Sequence, residues 1–235
     1  MSQDLIRIAS FDIGKKNFCF YIEEFDRNKL LKLKNIPTTQ RYNPNGTPTT
    51  KMQNLLDEIF ANGETILHKN LDLTENCDKK MRLDPETFHN MNDALDKYLD
   101  YFDHCTAFLI EQQMSFGKGK NNPMAMKLGQ HCYSYFTFKY GRTKQIIEFP
   151  AYHKTQILGA PKVPGKKTKK GFRWKTLDKR DRKKWSVTKA IEILTSRGEI
   201  GVLEGLTTVA KKDDLADTLT QLQAFKYLTF VEKKL

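Results

Sequence analysis

Asp213, Asp214 and Asp217 fall within five residues of one another near the end of a chain carrying 40 Lys and Arg against 28 Asp and Glu, a formal charge of +12. Carboxylates that close repel, and each raises the pKa of its neighbours unless a positive charge lies between them. Two more acids stand out by position: Asp12 closes the apolar stretch "LIRIASFD" and Glu111 closes "TAFLIE". A carboxylate there is costly to desolvate unless it sits at an edge, accepts hydrogen bonds or binds a cation. Taken singly, each acid has an ordinary reading as a turn, cap or surface residue. It is their combination that invites a chemical one.

The elements that must position them can be read from periodicity. "LIRIASFDIG" (5–14) alternates as a strand, with Ile6, Ile8, Ser10 and Asp12 on one face, and a tight turn at Gly14 leads to a second strand, "KNFCFYIEEF" (16–25). The third strand is either "ETILHKNLDL" (64–73) or "LLKLKNI" (30–36), and a short helical pattern lies near 51–60. A helix starts at Asp84 as N-cap with Pro85 in its first turn, its apolar stripe running through Phe88, Met91, Leu95, Tyr98 and Phe102. "TAFLIEQQ" (106–113) and "KQIIEFP" (144–150) read as strands, with an Asn–Pro-started helix from Pro123 between them. Two final helices span roughly 182–197 and 213–229. On the last, Asp214 and Asp217 share a face beside Leu215, Leu219 and Leu222, while Asp213 points elsewhere as the N-cap.

The positive charge is local. Residues 162–184 hold twelve Lys and Arg against Asp178 and Asp181, net +10 of the chain's +12. Pro161, Pro164, Gly165 and Gly171 interrupt this stretch, which therefore reads as a flexible basic loop. Phe172 and Trp174 interleave with the bases, a pairing suited to phosphates and exposed nucleobases. A solvated loop or a nuclear import signal is the plainer alternative.

Composition bounds the rest. A chain of 235 residues, 39% hydrophobic and 29% charged, can bury a full core as one large domain. No apolar run nears the roughly 18 residues of a membrane span, and the first residues lack a signal-peptide h-region. Cys19, Cys77, Cys105 and Cys132 are scattered without a CxxC pair, which suggests reduced thiols, an intracellular setting and no structural zinc.

Four blocks now carry a resemblance: "FDIGKKNF" (11–18), "IEQQMSFGKGKNNPMAMKLGQ" (110–130), "EFPAYHKTQILGA" (148–160) and "KKDDLADTL" (211–219). In this order they resemble the RuvC-type Holliday junction resolvases, above all the branch found in poxviruses and other large DNA viruses. Residues 37–84 are covered poorly, and the basic stretch is longer than in the bacterial enzymes.

The resemblance implies an α/β, RNase H-like fold: a mixed five-stranded sheet flanked by helices in one domain, with the acids at one end. It implies that Asp12, Glu111, Asp214 and Asp217 hold two Mg²⁺ or Mn²⁺ ions, which together clamp a phosphodiester. Lys154 then sits beside the scissile phosphate, joined by Lys183 or Lys184. His153 next to it reads as incidental. The bacterial aromatic wedge falls here at Met114, with Phe116 two further on, so the wedge is shifted or the junction is opened differently. Lys118, Lys120, Lys166, Lys167, Lys169, Lys170, Arg173, Trp174 and the 183–184 pair are the expected DNA contacts.

The implied activity is metal-dependent resolution of four-way DNA junctions by paired nicks. The alternatives are a non-catalytic branched-DNA-binding module, or the same chemistry on flaps or RNA–DNA hybrids. A homodimer is expected, because a four-way junction is symmetric and the helix from Pro123 is apolar all round; Met124, Leu128, Tyr133 and Phe136 are its expected interface. The implied setting is intracellular, in the host cytoplasm or a viral replication site if the source is viral.

Overall fold

The computed structural model describes residues 4–113, 122–168 and 171–234. β1 (Leu5–Asp12) and β2 (Phe18–Asp26) pair antiparallel across the Gly14 turn, and β3 (Glu64–Leu71) adds antiparallel to β2. β4 (Cys105–Gln112) lies parallel to β1, and β5 (Gln145–Pro150) parallel to β4. The order is therefore β3-β2-β1-β4-β5, the mixed sheet that the resemblance implies. Between β1 and β4 the register slips once: Arg7 pairs with Cys105 but Ile8 with Ala107, so Thr106 is the extra residue, its hydroxyl donating to the Arg7 carbonyl.

The choice of third strand is settled by capping. The Asp26 carboxylate accepts from the Lys29 backbone N–H and starts α1 (Arg27–Lys32), so Leu30 and Leu31 are helical and 64–71 is the strand. Thr49 caps α2 (Thr50–Ala61) in the same way, and its Met52, Leu55, Leu56, Ile59 and Phe60 form the buried stripe. Residues 37–84, poorly matched to the resolvases, thus supply a core helix and a sheet strand.

The helix expected over 84–102 breaks at Tyr98 into α3 (Glu86–Lys97) and α4 (Leu99–Asp103). Asp84 still serves its start, its side chain accepting from the Glu86 N–H, although Pro85 holds the cap position. Asn122 caps α5 (Pro123–Tyr140), and a short α6 (Tyr152–Ile157) follows β5.

The basic loop expected over 162–184 is instead an antiparallel ribbon, β6 (Lys162–Thr168) and β7 (Gly171–Thr176), running into α7 (Lys179–Arg197). A ribbon of two strands is all edge, where Pro164 and Gly165 can sit without breaking a central ladder; the pairing slips between Pro164 and Lys167. α8 (Ile200–Thr208), not foreseen, and α9 (Lys212–Lys226) complete the fold.

Helices cover both faces of the large sheet. α2, α7 and α9 bury one face through Leu55, Leu194, Leu219 and Leu222 against Ile8, Tyr21 and Leu109. On the other face, α3, α4 and α5 pack Met91, Leu95, Phe102 and Phe136 over Phe11, Phe20 and Phe108. Leu128 and Phe136 are fully buried here, Phe136 stacking on Phe108 at 4.0 Å between ring centroids, so neither belongs to an interface as expected. The sheet supplies the cover these two need. Met124 and Tyr133 are half-buried, and Phe138 is 89% exposed.

α9 is held from within. Glu23 on β2 is wholly buried and accepts from Lys226 at 2.6 Å, Gln223 at 2.6 Å, Tyr21 at 2.7 Å and Arg197 at 3.0 Å. Lys226 also donates to the carbonyls of Ile59 and Asn62. Gly63 passes so close that a Cβ there would collide with the Glu23 carboxylate. Burial alone would raise the Glu23 pKa, but Arg197 and Lys226 hold it at about 2, below its ordinary 4.5.

Between those values the unfolded chain binds the proton and the folded one does not. The stabilisation is therefore complete above about pH 4.5 and lost as pH falls toward 2. Urea denaturation of Glu23→Gln should show a loss of roughly 3 kcal/mol at neutral pH, since two buried cations lose their counter-charge, and a flatter acid limb than the wild type. Identical acid limbs would refute the role given to this carboxylate.

Candidate active site

The parallel pairing of β1 with β4 sets the first two acids side by side. Phe11 is opposite Ile110, so Asp12 and Glu111 follow as neighbours at the carboxyl ends of the two central strands. There the two carboxyl groups are near enough for the charge of one to act on the other. α9 crosses the same sheet face, with Gln221 donating to Ser10 at 3.0 Å, and this seats its first turns over the strand ends. Beneath them, half-buried His68 on β3 meets the Leu215 carbonyl through Nε2 at 3.1 Å.

Lys154 on α6 joins these elements. Its ammonium lies 2.9 Å from Glu111 Oε1 and 2.9 Å from Asp217 Oδ2, and its side chain is only 8% exposed. Asp217 uses its other oxygen to accept from Ser186 of α7 at 2.6 Å. Lys183, one turn earlier on α7, pairs with Asp213 and lies 3.4 Å from Asp214 Oδ1. That resolves the lysine ambiguity: Lys183 faces the acids and Lys184 is exposed. It also corrects the reading of Asp213, which faces the site with its neighbours. The helix starts one residue earlier than expected, at Lys212, and no side chain caps it.

The charges perturb one another. Burial first, then the Glu111 charge, push the Asp12 carboxyl well above its ordinary range. Burial acts on Glu111 in the same sense, but the Lys154 ammonium outweighs it and holds that carboxyl low. Asp214 is raised by burial and by Asp213, whereas Asp213 is held down by its hydrogen bond to Lys183 in spite of partial burial. Among the described residues, no three His, Cys, Asp or Glu side chains are grouped to hold a metal ion as they stand. Lys154 occupies the space between Glu111 and Asp217. The donor set is nonetheless all carboxylate oxygen, the chemistry hard divalent cations require.

A recess of about 140 Å³ opens onto these groups, its rim formed by Lys179, Arg182 and Thr155. Ser186 and this rim were not read from the sequence. The signal was present: Lys179, Arg182, Lys183 and Ser186 recur at helical spacing along one face of α7. Lys166, Lys167, Arg173 and Trp174 lie exposed on the β6–β7 ribbon, away from the acids in sequence but leading directly into α7. Met114, Phe116, Lys118, Lys120, Lys169 and Lys170 lie outside the described residues.

No family model matches the chain. Uncharacterized protein 170L of Invertebrate iridescent virus 6 is 33% identical over 248 residues, covering 97% of this chain and 92% of that protein. Uncharacterized protein 97L of Invertebrate iridescent virus 3 is 29% identical over 229 residues, covering 93% and 98%. Among solved structures, the chain is similar to the Fowlpox virus resolvase in complex with substrate Holliday junction DNA, at a TM-score of 0.48 and 17% identity over 95% of this chain and 98% of that one. It is similar also to the Fowlpox virus Holliday junction resolvase, at a TM-score of 0.46 and 16% identity over 94% and 96%.

In metal-free buffer, the Asp12 carboxyl followed by NMR should titrate above the ordinary aspartate range, and Glu111→Gln should bring it down by removing a neighbouring charge. An Asp12 signal in the ordinary range in the wild type would contradict the pairing with Glu111.

Proposed function

We propose that this chain, which belongs to the family of the iridescent virus proteins 170L and 97L, is a divalent-metal-dependent endonuclease that resolves four-way DNA junctions. The observation that carries the reading is the gathering of Asp12, Glu111, Asp214 and Asp217 from two strand ends and one helix, with Lys154 and Lys183 among them. A structural ion-pair cluster has no need to open, through Glu111 and Asp217, onto a recess edged by basic side chains. The sequence resemblance to the resolvases names the junction as substrate, and the basic ribbon suits a polyanion.

In this reading the four carboxylates hold two Mg²⁺ or Mn²⁺ ions, which supply charge neutralisation at the phosphate and ease ionisation of the attacking water. Asp217 is oriented by Ser186. Lys154, placed between Glu111 and Asp217, offsets negative charge that grows on the phosphate oxygens. Lys183 keeps Asp213 and Asp214 tolerable as neighbours. Arg182 and Lys179 face the incoming backbone, and the ribbon's Lys166, Lys167 and Arg173 follow it away from the cut. Hydrolysis leaves a 5′ phosphate and a 3′ hydroxyl.

A homodimer belongs to the same reading, because two nicks across a symmetric junction call for two sites related by a two-fold axis. The exposed apolar position on α5 is Phe138, not the buried Leu128 and Phe136. Charged substitutions at Tyr133 and Phe138 should give monomers in sedimentation velocity that nick without coupled second cuts. Paired cutting by a stable wild-type monomer would sink the dimer.

The central test is a cleavage assay on synthetic four-way, flap and RNA–DNA hybrid substrates with Mg²⁺ or with EDTA. Asn or Gln at Asp12, Glu111, Asp214 or Asp217 should lower cutting by roughly 100-fold or more while junction affinity stays intact or improves. Wild-type cutting in EDTA, or near-normal cutting by Asp214→Asn, would overturn the assignment.

A further inference from the structure

A second cavity adjoins the acid recess. It measures about 360 Å³, more than twice the recess itself, and lies between the 42–48 turn, the end of α6 and the root of the β6–β7 ribbon. Thr155 and Arg182 line both, so the two are ends of one groove. We propose that this cavity takes a single nucleotide of the substrate strand, turned out of the base stack beside the phosphate being cut. The inference rests on the nuclease reading above and extends it to how the cut position is chosen.

The lining suits such a guest. Tyr42 spends its hydroxyl on the Ile157 carbonyl at 2.7 Å, which fixes the ring and leaves its body as an apolar wall. Leu177, Ala160 and Pro161 add apolar lining. The side chains of Gln156, Lys162 and Arg182 have no hydrogen-bond or ion-pair partner among the described residues, leaving one amide and two cations free at the rim. Apolar walls hold a base by its faces, an amide reads its edge, and cations take its phosphate. The walls do not drift, because the Lys162 N–H donates to the Asn45 carbonyl at 2.6 Å and pins the ribbon to the turn. Position identifies the nucleotide: Thr155 and Gln156 directly follow Lys154 on α6, so a strand with a phosphate at Lys154 presents its next nucleotide to the cavity. A four-way junction supplies the opportunity, since bases at its crossover unstack more cheaply than those within a duplex.

The test places 2-aminopurine, whose fluorescence rises on unstacking, at each position within two nucleotides of the mapped cut. Junction binding is followed in parallel by anisotropy in EDTA. A several-fold rise at one position adjoining the cut is expected, diminished in Leu177→Trp, which narrows the cavity. Gln156→Ala should level the cutting rates among the four bases at that position. If Leu177→Trp does not fold by circular dichroism, Gln156→Ala, at an exposed site, decides alone. Binding with no rise at any of these positions, or a base ranking unaltered by Gln156→Ala, overturns the inference and leaves the nuclease reading standing. Absence of any junction binding overturns both.

Discussion

Everything at the acidic end depends on where α9 lies, and α9 is fixed at its other end by one buried carboxylate. Glu23 draws Lys226, Gln223 and Arg197 into the interior, and these come from the last turn of α9 and the last turn of α7. Buried ions are stable only when fully paired and hydrogen-bonded. This set meets the condition in one arrangement of β2, α7 and α9, with Gly63 making room for it. Gln221 repeats the restraint midway along the helix, at Ser10. The first turn of α9 is then left to carry groups that would destabilise a free helix end on their own.

Those groups are balanced locally by two lysines of different kinds. Lys154 is buried, shares two carboxylates and is the more tightly held. Lys183 is 37% exposed and serves the more accessible pair, Asp213 and Asp214. The charge of the folded site is thus far lower than a count of its acids suggests. A basic protein tolerates the cluster because its neutralising charges are built in beside it, and the surplus sits on a ribbon that shares no acid.

Much of this was legible in the sequence. Asp12 and Glu111 announced themselves by ending apolar strands, and the i, i+3 spacing of Asp214 and Asp217 put them on one face. The strand pattern located four of the five strands, and the resemblance implied a mixed five-stranded sheet. What escaped were features decided by tertiary partners. Pro164 and Gly165 argue for a loop by every local rule, yet an isolated two-stranded ribbon has no central ladder for them to break. Leu128 and Phe136 looked like interface residues because a helix apolar all round demands cover, and nothing local says that the aromatic face of β1, β2 and β4 provides it. Ser186 was not read as a site residue, and the choice between Lys183 and Lys184 stayed open until α7 was packed against α9.

The slip at Thr106 has a meaning beyond the geometry of one strand pair. Side chains alternate between the two faces of a sheet, so the frame in which two strands are joined decides which residues can meet. Joined without the extra residue, β4 would set Ile110 beside Asp12 and turn Glu111 toward the α5 face, among phenylalanines. Length changes in the ribbon alter how the molecule reaches its surroundings. A single residue gained or lost within the paired stretches Arg7–Phe11 or Cys105–Ile110 would alter parity instead, leaving a sheet that still pairs and a cluster that no longer exists. For a descendant of this chain, Thr106 is a reading frame written in structure.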